Sequence, residues 1–143
     1  PLAQVRAVSW QAGLLTGDYL MAHRIPRPAQ AVLWIMPRRL AARALLAAIS
    51  RHAWTFAGSG NFRASATPDL RIELGDCPLC RDVSAHEPVC DYFAGTFTRI
   101  WTALIDPDVK IRETRCGALS PGPCVFQAFR ETEPRPVHPA GHG

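Results

Sequence analysis

Lysine is nearly absent from this chain. Lys110 is the one lysine among 16 basic side chains, so the formal charge of +4 is carried almost wholly by arginine. No Lys/Arg run exists, no helix-turn-helix signature and no aromatic platform, which argues against nucleic acid as a partner. The arginine excess fits either bidentate capture of carboxylate and phosphate or the codon bias of a GC-rich genome. Long apolar runs are also missing, none approaching the ~20 residues of a membrane-spanning helix, so no transmembrane segment is expected. No secretory leader is visible, and the chain opens on Pro1 without Met, which predicts a fragment or processed form. An even complement of cysteines is lacking too: there are five, clustered between Cys77 and Cys124. That set disfavours a disulfide framework and points to metal or thiol chemistry in a reducing cytoplasm. Finally, no G-x-G-x-x-G turn follows any expected strand, so the chain offers no dinucleotide site of its own for hydride transfer.

What remains is an ordinary globular composition, 48% apolar and 20% charged over 143 residues, enough for one domain with a real core. Gln4 to Ala22 reads as a helix, with Val5, Val8, Leu14, Leu15 and Tyr19 recurring near helical period. Ile25-Pro26-Arg27-Pro28 breaks it. A second helix runs from Ala29 towards Met36, and an Ala/Leu-rich third spans Pro37 to Ala53. After the Ala57–Asn61 punctuator, Phe62–Ala66 and Leu70–Leu74 alternate as half-buried strands around a Thr67-Pro68-Asp69 turn. Pro88 opens a helix to about Ile105, on which Val89, Phe93, Phe97, Ile100, Trp101 and Leu104 fall at three- and four-residue steps. Strands from Val109 and from Cys124 complete an α+β sandwich, with N-terminal helices and a long helix on a four-stranded antiparallel sheet. Residues 1–130 form the expected domain; the Pro/His tail, 131–143, has almost no apolar content and is expected to be disordered.

The cysteines carry the chemistry. Cys90, Glu113, Cys116 and Cys124 make the pattern C-x22-E-x2-C-x7-C. Zinc takes four tetrahedral ligands drawn from thiolate, imidazole and carboxylate; the competing reading is inert buried cysteines. On the expected elements, Cys90 sits at a helix start that favours a thiolate, while Glu113, Cys116 and Cys124 flank a strand hairpin. Four protein ligands close the shell, so the site is expected to be structural. Cys77-Pro78-Leu79-Cys80 is a CxxC in a loop after a strand, a weak setting for thioredoxin-type chemistry. It reads as an exposed loop pair, with a redox pair, a second metal half-site or a swap of Cys80 into the metal shell as rivals.

The segment PVCDYFAGTFTRIWTALIDPDVKIRETRCGALSPGPCVF resembles the vinyl-4-reductase domain, whose relatives include ligand sensors of transcription activators and whose fold is similar to vesicle-tethering (TRAPP) subunits. The resemblance implies a zinc ion on Cys90, Glu113, Cys116 and Cys124. Upstream, AHRIPRPAQAVLWIMPRRLAARALLAAISRHAWTFAGSGNF is similar to the BchJ-like bacteriochlorophyll 4-vinyl reductase branch. The two stretches cover about Ala22 to Phe129, and the family's usual additional N-terminal sequence is expected to be lacking in part.

The implied function is bacteriochlorophyll (chlorophyll-type) biosynthesis for photosynthesis, at reduction of the 8-vinyl group of a divinyl (proto)chlorophyllide. The implied partners are a tetrapyrrole intermediate and pathway enzymes such as magnesium chelatase. The implied location is cytoplasmic, at most peripheral to the photosynthetic membrane, with a homodimer left open. A carrier or assembly factor is the first reading, because zinc has no redox chemistry and nothing else in the chain supplies a reductant. A 4-vinyl reductase with an external reductant is the second. A sensor of a small apolar ligand is the third, weakened because no ATPase or DNA-binding segment follows Arg130. For such a macrocycle, Trp34, Trp54, Phe56, Phe93, Phe97 and Trp101 are candidate pocket walls, and His52 is a candidate axial ligand of its magnesium. Arg24, Arg38, Arg39 and Arg43 are candidate partners for its carboxylates. Core packing and solvated helix charge compete at every one of these positions.

Overall fold

The computed structural model describes residues 2–51, 61–66, 69–80 and 84–130. Its elements are α1 (Leu2–His23), α2 (Arg27–Ile35), α3 (Arg38–Arg51), β1 (Asn61–Ser65), β2 (Arg71–Gly75), α4 (Asp91–Leu104), β3 (Val109–Arg115) and β4 (Cys124–Arg130). Proline marks the early boundaries: Pro26 precedes α2, Pro28 lies in its first turn, and Pro37 precedes α3. The sheet order is β1-β2-β4-β3 with every neighbouring pair antiparallel. Two hairpins therefore join at a central β2–β4 pair, which brings the end of β2 beside the start of β4, with Leu74 opposite Cys124.

The core lies between α4 and one face of the sheet. Ile72, Leu74, Ile111 and Phe126 are fully buried there. Phe126 meets Phe97 edge-on at 5.5 Å and Phe93 at 6.4 Å between ring centroids. Ala41, Ala42, Leu45 and Leu46 add the buried face of α3. Thr98 of α4 also closes the β3 edge: its hydroxyl donates to the Ile111 carbonyl at 3.1 Å and accepts from the Ile111 N–H at 2.9 Å. Buried Asp106, just after α4, takes Arg130 of β4 at 2.7 Å and Arg38 of α3 at 3.5 Å.

Helix α1 departs from the periodicity reading. That reading turns Val5, Val8, Leu15 and Tyr19 toward a core, yet they are more than half exposed, and the buried positions of α1 are Gly13 and Gly17. The reason is the partner. At Gly95 of α4 an added Cβ would come within 2.5 Å of the Trp10 carbonyl and 3.3 Å of Gly13 Cα, so the two backbones touch through glycine. Polar pairs lie along the seam: Arg6 grips Asp91 through two N–H···O bonds, Thr16 meets the Tyr92 hydroxyl at 2.9 Å, and Arg99 meets Asp18. The pairs advance in the same direction along both helices, so α1 and α4 run parallel.

Candidate metal centre and ligand cleft

Four chain segments deliver sulfur to one buried point. After β2 the chain turns at Asp76, whose φ of 53° is left-handed, and the Cys80 N–H closes a tight turn on the Cys77 carbonyl at 3.0 Å. That turn aims both thiols inward. Cys90 is the residue before the first turn of α4. Cys116 follows β3 and Cys124 opens β4. Between them Gly122 adopts φ 133°, and the Arg115 guanidinium, which donates to the Pro121 carbonyl at 2.7 Å, occupies the space a side chain would need.

Strand parity needed a correction of its own. Residues three apart on a regular strand point to opposite faces, so Glu113 and Cys116 would diverge. The β3–β4 register shifts between Glu113 and Arg115, a bulge that inserts one residue and turns both side chains to the same end of the sheet.

All five cysteines are free and buried. The Cys80 sulfur lies 3.2 Å from Cys90, 3.4 Å from Cys124 and 3.6 Å from Cys116; Cys77 lies 3.6 Å from Cys90, and Cys90 lies 3.8 Å from Cys124. Four sulfurs about 2.3 Å from one tetrahedral ion stand about 3.8 Å apart. The four residues of the C-x22-E-x2-C-x7-C pattern do converge, with ligand atoms of Cys90, Glu113, Cys116 and Cys124 all within 4.8 Å of one another. The expectation of an exposed loop pair at Cys77 and Cys80 is overturned: they are 5% and 9% exposed and join Cys90 and Cys124 in a second such set.

Electrostatics favour a cation here. The Glu113 carboxylate accepts the Cys90 N–H at 3.0 Å through one oxygen, while the other is buried with no hydrogen-bond partner. Burial pushes the Glu113 carboxyl up to about 7 and the Cys116 thiol up to about 12. Hydrogen bonds from Cys124 and Cys90 draw Cys77 down to about 5, whereas the hydrogen bonds with Cys124 and then Cys77 drive Cys90 upward. At Cys90, crowding by sulfur therefore outweighs the helix start that was expected to favour its thiolate. Thiols and a carboxyl packed this closely cannot all ionise alone, and a soft or borderline divalent ion removes the conflict. The residues present fit such an ion.

A cleft of about 570 Å³ adjoins the centre, between α1, the start of α4 and β3. Trp10, Arg6, Lys110 and Arg112 line it, Glu113 forms part of its wall, and Lys110 Nζ sits 5.0 Å from the Trp10 ring centre. A second cleft of about 430 Å³, beside Asp106, takes in Arg38, Arg39, Trp101 and Arg130. The candidates for a ligand pocket are thus dispersed. Arg39 and Trp101 line the second cleft, while Phe93 and Phe97 pack in the core against Phe126. Arg43 is exposed on α3, and Trp34 is 55% exposed on α2. His52, Trp54 and Phe56 lie outside the described residues, as does the tail 131–143. Trp10, Lys110 and Arg112 had no signal of their own, because only the α1–β3 approach brings them together.

A scan against protein-family models matches residues 70–129 to the vinyl-4-reductase (V-4-R) domain. Those residues are a vinyl-4-reductase domain. They hold every cysteine of the centre and the hairpin that positions it. Over 117 residues the chain is 44% identical to the bacteriochlorophyll synthase 23 kDa chain of Rhodobacter capsulatus and 42% identical to that of Cereibacter sphaeroides, in both cases covering 82% of this chain. It spans 54% and 57% of those relatives' lengths. Among solved structures, a vinyl-4-reductase family protein from Methanocaldococcus jannaschii superposes with a TM-score of 0.51 at 18% identity, over 85% of this chain and 67% of that one. The fold is vinyl-4-reductase-like. No helix among the described residues is long and apolar enough to cross a membrane.

Proposed function

We propose that this chain, with its vinyl-4-reductase domain, acts in bacteriochlorophyll biosynthesis as a zinc-stabilised binding module. It holds a divinyl (proto)chlorophyllide-type tetrapyrrole for the pathway's enzymes as a carrier or assembly factor. The observation that carries this reading is the 44% and 42% identity to two bacteriochlorophyll synthase 23 kDa chains. The cleft between α1 and β3 supports it physically. Its volume of about 570 Å³ lies in the range of small-molecule sites, the Trp10 ring offers an apolar wall, and Lys110 and Arg112 offer cations to propionate-type carboxylates. Zinc on Cys90, Glu113, Cys116 and Cys124 is the scaffold in this reading and takes no part in the reaction.

A titration separates carrier from reductase. Divinyl protochlorophyllide is mixed with the zinc-loaded chain, with and without NADPH, and absorbance is followed. A shift of the pigment bands without conversion is the expected result. Conversion to the monovinyl pigment by the chain alone would establish the reductase instead, and unshifted bands would remove the tetrapyrrole as ligand.

A further inference from the structure

The buried donors at the base of α4 fall into two groups of four. Cys77, Cys80, Cys90 and Cys124 form one, and Cys90, Glu113, Cys116 and Cys124 the other; within each group every ligand atom lies within 4.8 Å of the rest. Cys90 and Cys124 belong to both. We propose that the centre binds two zinc-class divalent ions that share the Cys90 and Cys124 thiolates as bridges. One ion is completed by Glu113 and Cys116, the other by Cys77 and Cys80. The proposal rests on the zinc reading of the Glu113 group and extends it.

The count of donors fits. Two tetrahedra that share an edge need six corners, and the two groups together supply six different residues. The shared edge would be Cys90–Cys124, whose sulfurs stand 3.8 Å apart, close to the ~3.8 Å edge of a zinc–sulfur tetrahedron. Both bridging residues are 0% exposed and so lie deepest in the cluster, while Cys77 and Cys80, at 5% and 9%, stand nearer its rim.

A single ion leaves buried donors unused whichever group it takes. On the Glu113 group it strands Cys77 and Cys80, both buried and within 3.6 Å of the Cys90 sulfur. On the four-cysteine group it strands Cys116 and the buried Glu113 oxygen that has no hydrogen-bond partner. A third arrangement, Cys80 with Cys90, Cys116 and Cys124, still strands Cys77 and that same oxygen. Two ions use every donor. They also neutralise more of the anionic charge that six ionised ligands place in a buried volume, where uncompensated charge is costly.

Metal stoichiometry tests this. The full chain, purified under reducing conditions and loaded with zinc, is weighed intact by native mass spectrometry; the cadmium-113 form is examined by NMR. The proposal predicts two zinc ions per chain and two cadmium resonances coupled through the bridging sulfurs. The double variant Cys77→Ser/Cys80→Ser should keep its circular dichroism and hold one ion; Cys116→Ser/Glu113→Gln should also hold one. One ion in the wild type, lost in Cys116→Ser/Glu113→Gln and kept in Cys77→Ser/Cys80→Ser, would overturn the second site and leave the Glu113-group zinc standing. One ion with the opposite dependence would overturn both, as would a wild-type chain that retains no metal. Iron with acid-labile sulfide in the purified chain would overturn the two-zinc centre in favour of an iron–sulfur cluster.

Discussion

Glu113 carries the most consequence of any single residue here. Through one oxygen it caps the Cys90 N–H at the start of α4, and through the other it faces the thiols with no hydrogen-bond partner. With burial holding Glu113 near 7 and Cys116 near 12 in the metal-free chain, Cys116 carries a proton at neutral pH and Glu113 is about half protonated. Metal must displace those protons, so affinity rises as pH rises. Each proton released contributes about a tenfold gain per pH unit. Competition against a chelator at about pH 6 and about pH 8 should show tighter zinc binding at the higher value, and Glu113→Gln, with one less proton to release, a shallower slope. Equal affinity at the two values would contradict this. The Glu113 pattern was legible as spacing along the chain. The place of Cys77 and Cys80 was not, because nothing local says that the loop after β2 folds back under α4. The clue available was the C-P-L-C string itself, whose tight turn points two thiols the same way.

At the scale of elements, helix periodicity located every helix to within a few residues and misjudged one face. The α4 stripe of Phe93, Phe97, Ile100, Trp101 and Leu104 is buried, whereas the α1 stripe of Val5, Val8, Leu15 and Tyr19 is exposed. Apolar spacing reports which side chains could be buried, while the α1–α4 contact is made by residues with no side chain, to which hydrophobic period is blind. This reverses the usual effect of a substitution. Alanine is preferred over glycine inside a helix by about 1 kcal/mol, but at Gly95 the new Cβ would meet the Trp10 carbonyl at 2.5 Å. Gly95→Ala should therefore destabilise the fold, by about 1–3 kcal/mol, read as a lower urea midpoint. A stabilised variant would show that the helices are free to part. By contrast, strand alternation did anticipate the β2 face, because Ile72 and Leu74 pack directly on α4. The bulge near Thr114 left no mark on that alternation, and without it the metal residues could not have been placed on one face from sequence.

For the whole molecule, the metal centre joins the end of β2, the start of α4 and both strands of the second hairpin, elements distant in sequence. Metal there should contribute on the order of 10 kcal/mol to folding. Chelation under reducing conditions is expected to lower the melting temperature sharply and zinc to restore it; an unchanged melt would remove the scaffold role. The ligand cleft is assigned to a different part of the fold, on Trp10, Lys110 and Arg112, at the edge of that scaffold. The most direct test of this division is a titration of divinyl protochlorophyllide into the zinc-loaded chain, wild type against Trp10→Ala/Lys110→Ala, with zinc content measured on the same samples. The account predicts shifted pigment bands for the wild type, binding weaker by about tenfold or more in the variant, and equal zinc in both. Undiminished pigment binding in a variant that keeps its zinc would contradict it.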